Sequence, residues 1–268
     1  MALSNHIAIA GIHSVRAALT HGGEGVSGVW LEDRRHDRRL AEIAALAHET
    51  GVVVRRVMRA GLDDAAAGAN HQGVLAWVRA PVALRETDLG AIFDNTQRPP
   101  LLLILDGVQD PHNLGACLRT ADAAGAQALI APKDKAVGLT AVACKVASGA
   151  ARTIPYIQVT NLSRTVAGLK ERGIWLIGTA AEATAGLFET DLTGPLALVL
   201  GGEGKGLRRL TRERCDLLVR LPMLGTVESL NVSVAAGICL YEVLRQRRSI
   251  LNHKGAEEKT TNHANFRG

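Results

Sequence analysis

Short apolar runs alternate with amphipathic segments through the second half of the chain. The runs are LLLILD, ALIA, IPYIQV, IWLIGTA, LALVLGG and LLVRLP, and such continuous runs are typical of strands buried on both faces of a parallel sheet. Most of the runs are separated by segments long enough for a helical crossover between parallel strands. The pattern predicts a doubly wound α/β domain over residues 99–248.

The first part of the chain has the pattern of a smaller α/β unit, residues 1–80. The runs VSGVWLE, VVVRRV and GVLAWV indicate strands, and HDRRLAEIAALAHETG indicates a helix with Leu40, Ile43, Ala44 and Ala47 on its apolar side. Periodicity fades over 81–98, which we interpret as a linker ending at Pro99 and Pro100. The polar segment 249–268 is predicted to be a disordered tail.

The chain is mildly basic, with a net charge of +5. More than half of this excess lies in residues 241–268, which carry six basic and three acidic side chains. Two arginine clusters in the first third favour a polyanionic partner. A solvated helix face explains the same clusters, so charge alone leaves the choice open. The candidate RNA-binding residues in these clusters are Arg34, Arg35, Arg38, Arg39, Arg55 and Arg56.

Cysteine spacing and hydropathy exclude several classes of protein. The four cysteines lie far apart without a CxxC pair, and the nine histidines form no HExxH motif, so we expect neither a metal site nor a disulfide framework. Apolar stretches do not reach the roughly 18 residues of a membrane helix, and the start of the chain lacks the features of a signal peptide. We expect a cytoplasmic protein without a membrane partner.

Ligands of doubly wound sheets bind at the carboxyl ends of the strands, so the loops after Asp106, Thr179, Gly201 and Leu221 are the places to look for chemistry. The first of these loops leads into DPHNLGACLRTADAAG. Here Asn113 is predicted to cap a helix, and Arg119 lies off its apolar stripe. An exposed ion pair between Arg119 and Asp122 is the structural alternative to a functional role for Arg119.

The loops after Gly201 and Leu221 are rich in glycine and in helix-capping residues. The sequence LGGEGKGL matches neither GxGxxG nor GxxxxGK[ST], so it predicts close backbone approach to a flat ligand or a simple tight turn, with Glu203 solvated in the second case. In LPMLGTVESLNVSVAAGICLYE, Ser229 or Asn231 can cap a helix. That helix is apolar over much of its girth, and a second copy of the chain is a reasonable partner for it.

Taken in order, the three motifs resemble those of the SpoU (TrmH-type) RNA ribose 2′-O-methyltransferases, over residues 99 to about 247. IAGIHSVRAAL and NHQGVLAWV are similar to the small substrate-binding domain that precedes the catalytic one in many members. Within the family the chain looks most like the bacterial enzymes that methylate a guanosine ribose in the peptidyl-transferase P loop of 23S ribosomal RNA.

The resemblance implies a fold, a cofactor and partners. The fold is a parallel α/β sheet with a trefoil knot, the methyl donor is S-adenosylmethionine without a metal, and the partners are ribosomal RNA and a second copy packed through the catalytic domain. The donor would be lined by residues of three loops: Thr179, Ala180, Gly201, Gly202, Gly204, Leu221, Met223 and Leu230.

The resemblance also implies the catalytic set. Arg119 matches the catalytic arginine of the family, and Asn113, Glu203, Ser229 and Asn231 accompany it. Because a guanidinium stays protonated in proteins, we interpret Arg119 as a clamp for the phosphate beside the target ribose rather than as a general base. Glu203 would orient Arg119 or the glycine loop. RNA would be held mainly by the arginine clusters named above.

Three rival interpretations remain. A nicotinamide-dependent dehydrogenase shares the α/β rhythm but is disfavoured because GxGxxG is missing after the first strand of the large domain. A non-catalytic RNA-binding or ribosome-assembly module shares the basic clusters. A methyltransferase acting on a transfer-RNA guanosine, or on another nucleotide of ribosomal RNA, shares the chemistry.

Overall fold

The computed structural model describes residues 6–22, 25–35, 37–93, 98–204 and 206–264, and side chains in all of these except 21, 22 and 250–264. The small domain has a mixed four-stranded sheet in the order β1-β4-β2-β3, in which only β2 and β3 are parallel. Its elements are β1 His6–Ala10, α1 Ile12–Gly22, β2 Val26–Glu32, α2 Arg38–Glu49, β3 Val54–Val57, α3 Arg59–Ala66 and β4 Val74–Arg79.

Helix α2 illustrates how the small domain follows from its sequence. Asp37 caps the helix by accepting a hydrogen bond from the Leu40 backbone N–H at 3.0 Å. The predicted apolar stripe is confirmed, because Leu40, Ile43 and Ala47 are buried against the sheet together with residues of α1, and Ala44 is half-buried against the same cluster. Helix α3 packs on the opposite face of the sheet, where Trp30 and Trp77 meet edge to face.

The large domain contains eight parallel strands in the order β10-β12-β9-β11-β6-β7-β8-β5. The strands are β5 Leu84–Arg85, β6 Leu101–Asp106, β7 Ala128–Pro132, β8 Tyr156–Val159, β9 Trp175–Thr179, β10 Ala185–Gly186, β11 Leu196–Gly201 and β12 Leu217–Arg220. Every predicted apolar run corresponds to one of these strands. The predicted parallel α/β class is therefore confirmed.

Helices cover both faces of the large sheet, as a doubly wound domain requires. They are α4 Leu89–Phe93, α5 Pro111–Ala123, α6 Ala141–Val146, α7 Ala150–Thr153, α8 Leu162–Glu171, α9 Arg209–Arg214 and α10 Val232–Ala264. Helices α5, α6, α7 and α10 bury their apolar sides on one face, and α4 and α8 on the other. Arg247 ties α10 to the sheet by donating to the backbone carbonyls of Pro99, Pro100 and Gly194.

Two segments differ from the prediction. Part of the range 81–98 is not a free linker, because β5 joins the large sheet beside β8 and Glu86 accepts hydrogen bonds from Arg164 and Thr165 at 2.9 Å each. A helix also replaces the disorder expected from residue 249 onward, since α10 continues to Ala264. The segment 249–264 contains the good helix formers Ala, Glu and Lys, and it extends a helix already nucleated by packing. Residues 265–268 lie outside the described residues.

The order of the last strands bears on the predicted knot. Strand β12 lies between β9 and β10 and pairs with both, although β9 and β10 are joined directly in the chain. The chain after β11 therefore places β12 between two strands that are consecutive in the sequence, before it continues into α10. This order is compatible with a trefoil knot, which itself stays a prediction. Across the described ranges, no helix combines the length and apolar character that crossing a membrane demands.

Candidate active site

Four neighbouring strands deliver their loops to one edge of the large sheet. Strands β12, β9, β11 and β6 are consecutive in the sheet and parallel, so their carboxyl ends lie side by side. Asp106 pairs with Gly201 at the ends of β6 and β11, and the Ala180 backbone N–H donates to the carbonyl of Val219 at 3.0 Å. The loops selected from the sequence therefore open at the same edge.

Asn113 connects the three motifs through its side chain. Asn113 is buried in the first turn of α5. Its amide nitrogen donates to a carboxylate oxygen of Glu203 in the glycine loop, and its amide oxygen accepts from Asn231 Nδ2 at 3.0 Å. The predicted helix-cap role of Asn113 is wrong, because Asp110 caps α5 instead by accepting from the His112 backbone N–H, with Pro111 at the first helical position.

Asn231 has two roles at once. Its side-chain oxygen accepts from the Ser233 backbone N–H at 2.9 Å and from the Ser233 hydroxyl at 2.6 Å. Of the two predicted capping residues, Ser229 and Asn231, it is therefore Asn231 that caps α10. Its nitrogen remains the donor to Asn113. Ser229 lies two residues earlier and is exposed. The cap thus fixes the start of α10 against the start of α5.

Arg119 is exposed and lies about 9 Å further along α5 than Asn113, from the rise of a helix. Its guanidinium reaches the Ser148 hydroxyl at 3.5 Å. The alternative of an ion pair with Asp122 is wrong, because Asp122 accepts a hydrogen bond from the Thr153 hydroxyl at 2.6 Å instead. Glu203 bonds to Asn113 rather than to Arg119. Arg119 is therefore only weakly held, and its Cα lies further along α5 than the cluster around Asn113.

The glycine loop is folded so tightly that two of its positions exclude a side chain. A Cβ at Gly201 would collide with the backbone of Gly206, and a Cβ at Gly202 would lie 2.5 Å from the Gly107 carbonyl oxygen. The Gly206 backbone N–H donates to the Gly202 carbonyl at 3.2 Å and closes the turn. The loop is therefore a tight turn packed against the loop after β6, and its approach to a flat ligand stays a prediction.

Sequence reasoning missed a contact that fixes the end of this loop. The buried carboxylate of Asp106 accepts from the Arg208 backbone N–H at 2.9 Å, and its other oxygen lies 3.4 Å from Arg208 Nε. A charged residue at the end of the apolar run LLLILD was the available signal, because a buried carboxylate requires a partner. The partner itself was not readable, since it lies 102 residues away along the chain.

The remaining residues of the predicted donor-lining set lie on the same edge. Thr179 and Ala180 are half-buried at the end of β9, and Leu221 and Met223 are half-buried after β12. The loop that follows leaves large apolar side chains uncovered, with Leu224 99% exposed, Val227 60% and Leu230 37%. The loop after β12 therefore presents an apolar surface.

Cysteine chemistry is disfavoured at this edge. Burial, with a smaller contribution from the charge of Glu203, raises the pKa of Cys117 to about 12. Burial likewise raises the pKa of Cys239 to about 12. All four cysteines are free thiols, and a thiol with such a pKa is not a nucleophile near neutral pH. Over the described ranges, no three His, Cys, Asp or Glu side chains form a group able to hold a metal.

The arginine clusters of the small domain separate in space. Arg38 and Arg39 line a cavity between α1 and α2. Arg35 is tied to Asp37 at 2.6 Å and to the Gln72 carbonyl at 3.1 Å. The other three arginines are exposed outside that cavity: Arg34, Arg55 and Arg56. The structure thus brings two of the six predicted residues together in one concave surface.

Comparison with family models gives two matches that cover most of the chain. Residues 100–241 match the SpoU rRNA Methylase family. Residues 8–82 match the model for RNA 2′-O ribose methyltransferase substrate binding. The two matched ranges correspond to the small sheet and to the large sheet without β5, which lies with α4 in the segment between the matches.

Similar proteins and structures agree with these matches. The chain is 55% identical over 241 residues to the 23S rRNA (guanosine-2′-O-)-methyltransferase RlmB of Shewanella oneidensis, covering 90% of this chain and 98% of that protein. It is 56% identical over 240 residues to the protein of the same name from Haemophilus influenzae, covering 89% and 97%. Among solved structures, the SpoU methyltransferase AviRb from Streptomyces viridochromogenes in complex with the cofactor AdoMet superposes with a TM-score of 0.74, at 26% identity and 92% coverage of both chains.

Proposed function

The chain belongs to the SpoU rRNA Methylase family, and from that premise we propose that it transfers a methyl group from S-adenosylmethionine to the ribose 2′-hydroxyl of a guanosine in 23S ribosomal RNA. The observation that carries the proposal is the hydrogen-bonded cluster of Asn113, Glu203 and Asn231, in which the three motifs meet at one sheet edge. The names of the similar proteins and the AdoMet complex of the AviRb structure support the same reaction.

The residues at the sheet edge fit the methyl donor. A flat adenine ring needs apolar walls and backbone polar groups. Leu230 offers an exposed apolar side chain, and the glycine loop offers backbone without side chains at Gly201 and Gly202, where a Cβ would collide with neighbouring backbone. Thr179, Ala180, Gly202, Gly204, Leu221 and Met223 complete the proposed lining. When bound, the donor supplies an electrophilic methyl group on a positively charged sulfur.

The residues of the chain orient the nucleophile. Arg119 is exposed and weakly held, so its guanidinium is free to clamp the phosphate beside the target ribose and to stabilise the negative charge that develops on the 2′ oxygen. Asn113 positions the glycine loop through Glu203. Ser229 and Asn231 hold the third loop beside α5, where the reacting groups must be kept in line.

Partners and location complete the proposal. The small domain holds the RNA through Arg34, Arg35, Arg38, Arg39, Arg55 and Arg56, and the reaction takes place in the cytoplasm, where ribosomal RNA is found. A homodimer packs through the catalytic domain. Val234 and Tyr241 support the dimer, because they are each 50% exposed and lie seven residues apart on one side of α10.

Methyl transfer to defined RNAs tests the proposal. The protein is incubated with tritium-labelled S-adenosylmethionine and either a 23S ribosomal RNA transcript or a transfer-RNA pool, and ribose methylation is mapped in the product. We expect one methylated guanosine in the ribosomal transcript. Labelling confined to transfer RNA would overturn the substrate, and cofactor binding without labelling of either RNA would leave a non-catalytic RNA-binding module.

A further inference from the structure

The small domain contains a cavity whose ligand is not specified by the match of residues 8–82 to a substrate-binding model. It has a volume of about 400 Å³ and lies between α1 and α2. Its polar lining consists of His13, Arg16, Arg38, Arg39, Glu42 and Gln72. This volume falls at the lower end of the range of small-molecule pockets, so the cavity admits a ligand of about the size of one nucleotide.

Two separate sequence motifs meet at the floor of this cavity. The Gly11 backbone N–H donates to the Val74 carbonyl at 3.2 Å, and the Ile12 N–H donates to the side-chain oxygen of Gln72 at 3.1 Å. Since the Gln72 oxygen is occupied by Ile12, its amide nitrogen is the atom left to donate to a ligand. IAGIHSVRAAL and NHQGVLAWV are thus joined through Gln72.

The turn that carries Gln72 is held in a strained conformation. Gln72 has a φ of +50°, in the left-handed region that non-glycine residues seldom adopt. On either side His71 accepts from the Gly73 backbone N–H at 3.0 Å, and its other ring nitrogen lies 3.0 Å from Asp63. Strain that is braced so completely is typical of ligand-contacting positions. The bracing fixes where the Gln72 amide stands.

The cavity carries excess positive charge. Glu42 accepts from Arg16 at 2.7 Å and from Arg38 at 3.1 Å, so one carboxylate is shared by two guanidinium groups. Arg39 is exposed, and none of the described carboxylates lies within 4.0 Å of its guanidinium. With three arginines and one glutamate in the lining, the cavity is suited to an anionic ligand.

We propose that this cavity binds one unstacked nucleotide of the RNA substrate, with its phosphate at Arg38 and Arg39 and its base edge at the Gln72 amide. The inference rests on the proposed function and names the place where the small domain grips the RNA. Proteins recognise RNA through bases splayed out of the helix, which stack on His rings or guanidinium planes as well as on aromatic side chains. His13 and Arg16 supply such planes in a chain with only 3% aromatic residues.

Two substitutions in the cavity and one control test the proposal. Gln72→Glu keeps an oxygen to accept from Ile12 but replaces the donor nitrogen by a charge that repels phosphate. Arg39→Ala removes a guanidinium that has no internal partner among the described carboxylates. Arg79→Ala is the matched control, because Arg79 is exposed at the opposite end of β4 from Val74 and its loss changes the net charge by the same amount.

The measurement is the dissociation constant for a full-length 23S ribosomal RNA transcript, by filter binding at several salt concentrations. We expect each cavity variant to bind roughly 10 to 100 times more weakly than the wild type, and Arg39→Ala to lower the salt slope by about one. Arg79→Ala should bind nearly as well as the wild type. Affinity for S-adenosylmethionine and the melting temperature should be unchanged in Arg39→Ala.

The outcomes separate the cavity from the proposed function. If both cavity variants bind the transcript as well as Arg79→Ala does, while the wild type methylates it, the proposed function stands and the cavity proposal is overturned. If the wild type neither binds nor methylates the transcript, the proposed function fails and the cavity is not its RNA site. If Gln72→Glu lowers the melting temperature, its weaker binding could result from unfolding. The RNA affinity of Arg39→Ala then decides the test, because the Arg39 side chain is exposed.

Discussion

The polar cluster of the large domain and the basic cavity of the small domain are built in different ways. The cluster consists of short side chains, anchored by buried Asn113 and bonded to one another across 118 residues of chain. The cavity consists of long, largely exposed arginines around a single shared carboxylate. The contrast indicates that changes in the cluster should alter turnover or stability, whereas changes in the cavity should alter RNA affinity and its dependence on salt.

The largest expected effect comes from Arg119→Ala. Removing a group that stabilises developing charge typically lowers the rate by about 10² to 10³, and within the described residues the Arg119 guanidinium makes a single side-chain hydrogen bond, to Ser148. We therefore expect methyl transfer to fall by that factor while affinity for S-adenosylmethionine is retained. A tritium-transfer assay and isothermal titration measure the two quantities.

Arg214→Ala is the control for Arg119→Ala, since Arg214 is exposed at the end of α9 and its loss changes the charge equally. Its rate should match that of the wild type. An equal loss of donor binding and methyl transfer in Arg119→Ala would show that Arg119 has a structural role and does not act in the transfer itself.

The next effect is a steric one, in Gly201→Ala. A Cβ there meets the Gly206 backbone, so the loop must open, at a cost of about 1 to 3 kcal/mol in the free energy of unfolding. We expect donor affinity to fall by at least tenfold as the loop moves, since every 1.4 kcal/mol corresponds to a factor of about ten. Gly194→Ala is the control, because no described atom lies within 4 Å of a Cβ at that position. Equal donor affinities in the two variants would contradict the proposed lining.

A double-mutant cycle measures how strongly the cluster is coupled. Asn113→Ala, Asn231→Ala and the double variant are compared by urea unfolding. The two side chains share a hydrogen bond of 3.0 Å, so we expect a coupling free energy of about 1 kcal/mol. If the two changes in the free energy of unfolding simply add in the double variant, the side chains of the cluster are not coupled. The polar cluster would then resemble the basic cavity in consisting of independent side chains.

The smallest effect concerns an exposed ion pair. Arg164, and then the Thr165 hydroxyl, hold the pKa of Glu86 below its ordinary value of 4.5 despite partial burial, which raises it. A lowered folded-state pKa stabilises the protein above the unfolded-state pKa, and this contribution is lost as the pH falls through the folded-state value. Glu86→Gln should therefore cost under about 1 kcal/mol at neutral pH.

Chemical denaturation across the acidic range checks this dependence. The difference in the free energy of unfolding between the wild type and Glu86→Gln should shrink from neutral pH to acid. A difference that grows as the pH falls would reverse the sign of the assignment. An exposed pair such as that of Arg16 and Glu42 should likewise contribute little to the free energy of unfolding. Its role is therefore better tested by measuring RNA affinity.

Sequence patterns predict the strands well and the contacts between them poorly. The run LLLILD forms β6 because a strand buried on both faces must be apolar throughout. The cap of α5 was assigned to Asn113 because capping residues occur at several neighbouring positions, and only the structure shows Asp110 in that role. The contact between Asp106 and Arg208 depends on tertiary proximity, which local patterns do not encode.

The small domain shows the same limit. Its arginine clusters were visible in the sequence, but charge did not reveal which arginines share a concave surface. That surface combines Arg39 with His13 and with Gln72, which come from different parts of the chain. The left-handed backbone of Gln72 was also unpredictable, since neighbouring contacts impose it.

Strand β12 determines how the apolar loop after it can move. The strand is hydrogen-bonded to β9 on one side and to β10 on the other, and the loop ends where Asn231 caps α10. Both ends of the loop are thus fixed, so a movement of the loop would be carried by backbone rotations between residues 221 and 231 rather than by displacement of β12 or α10.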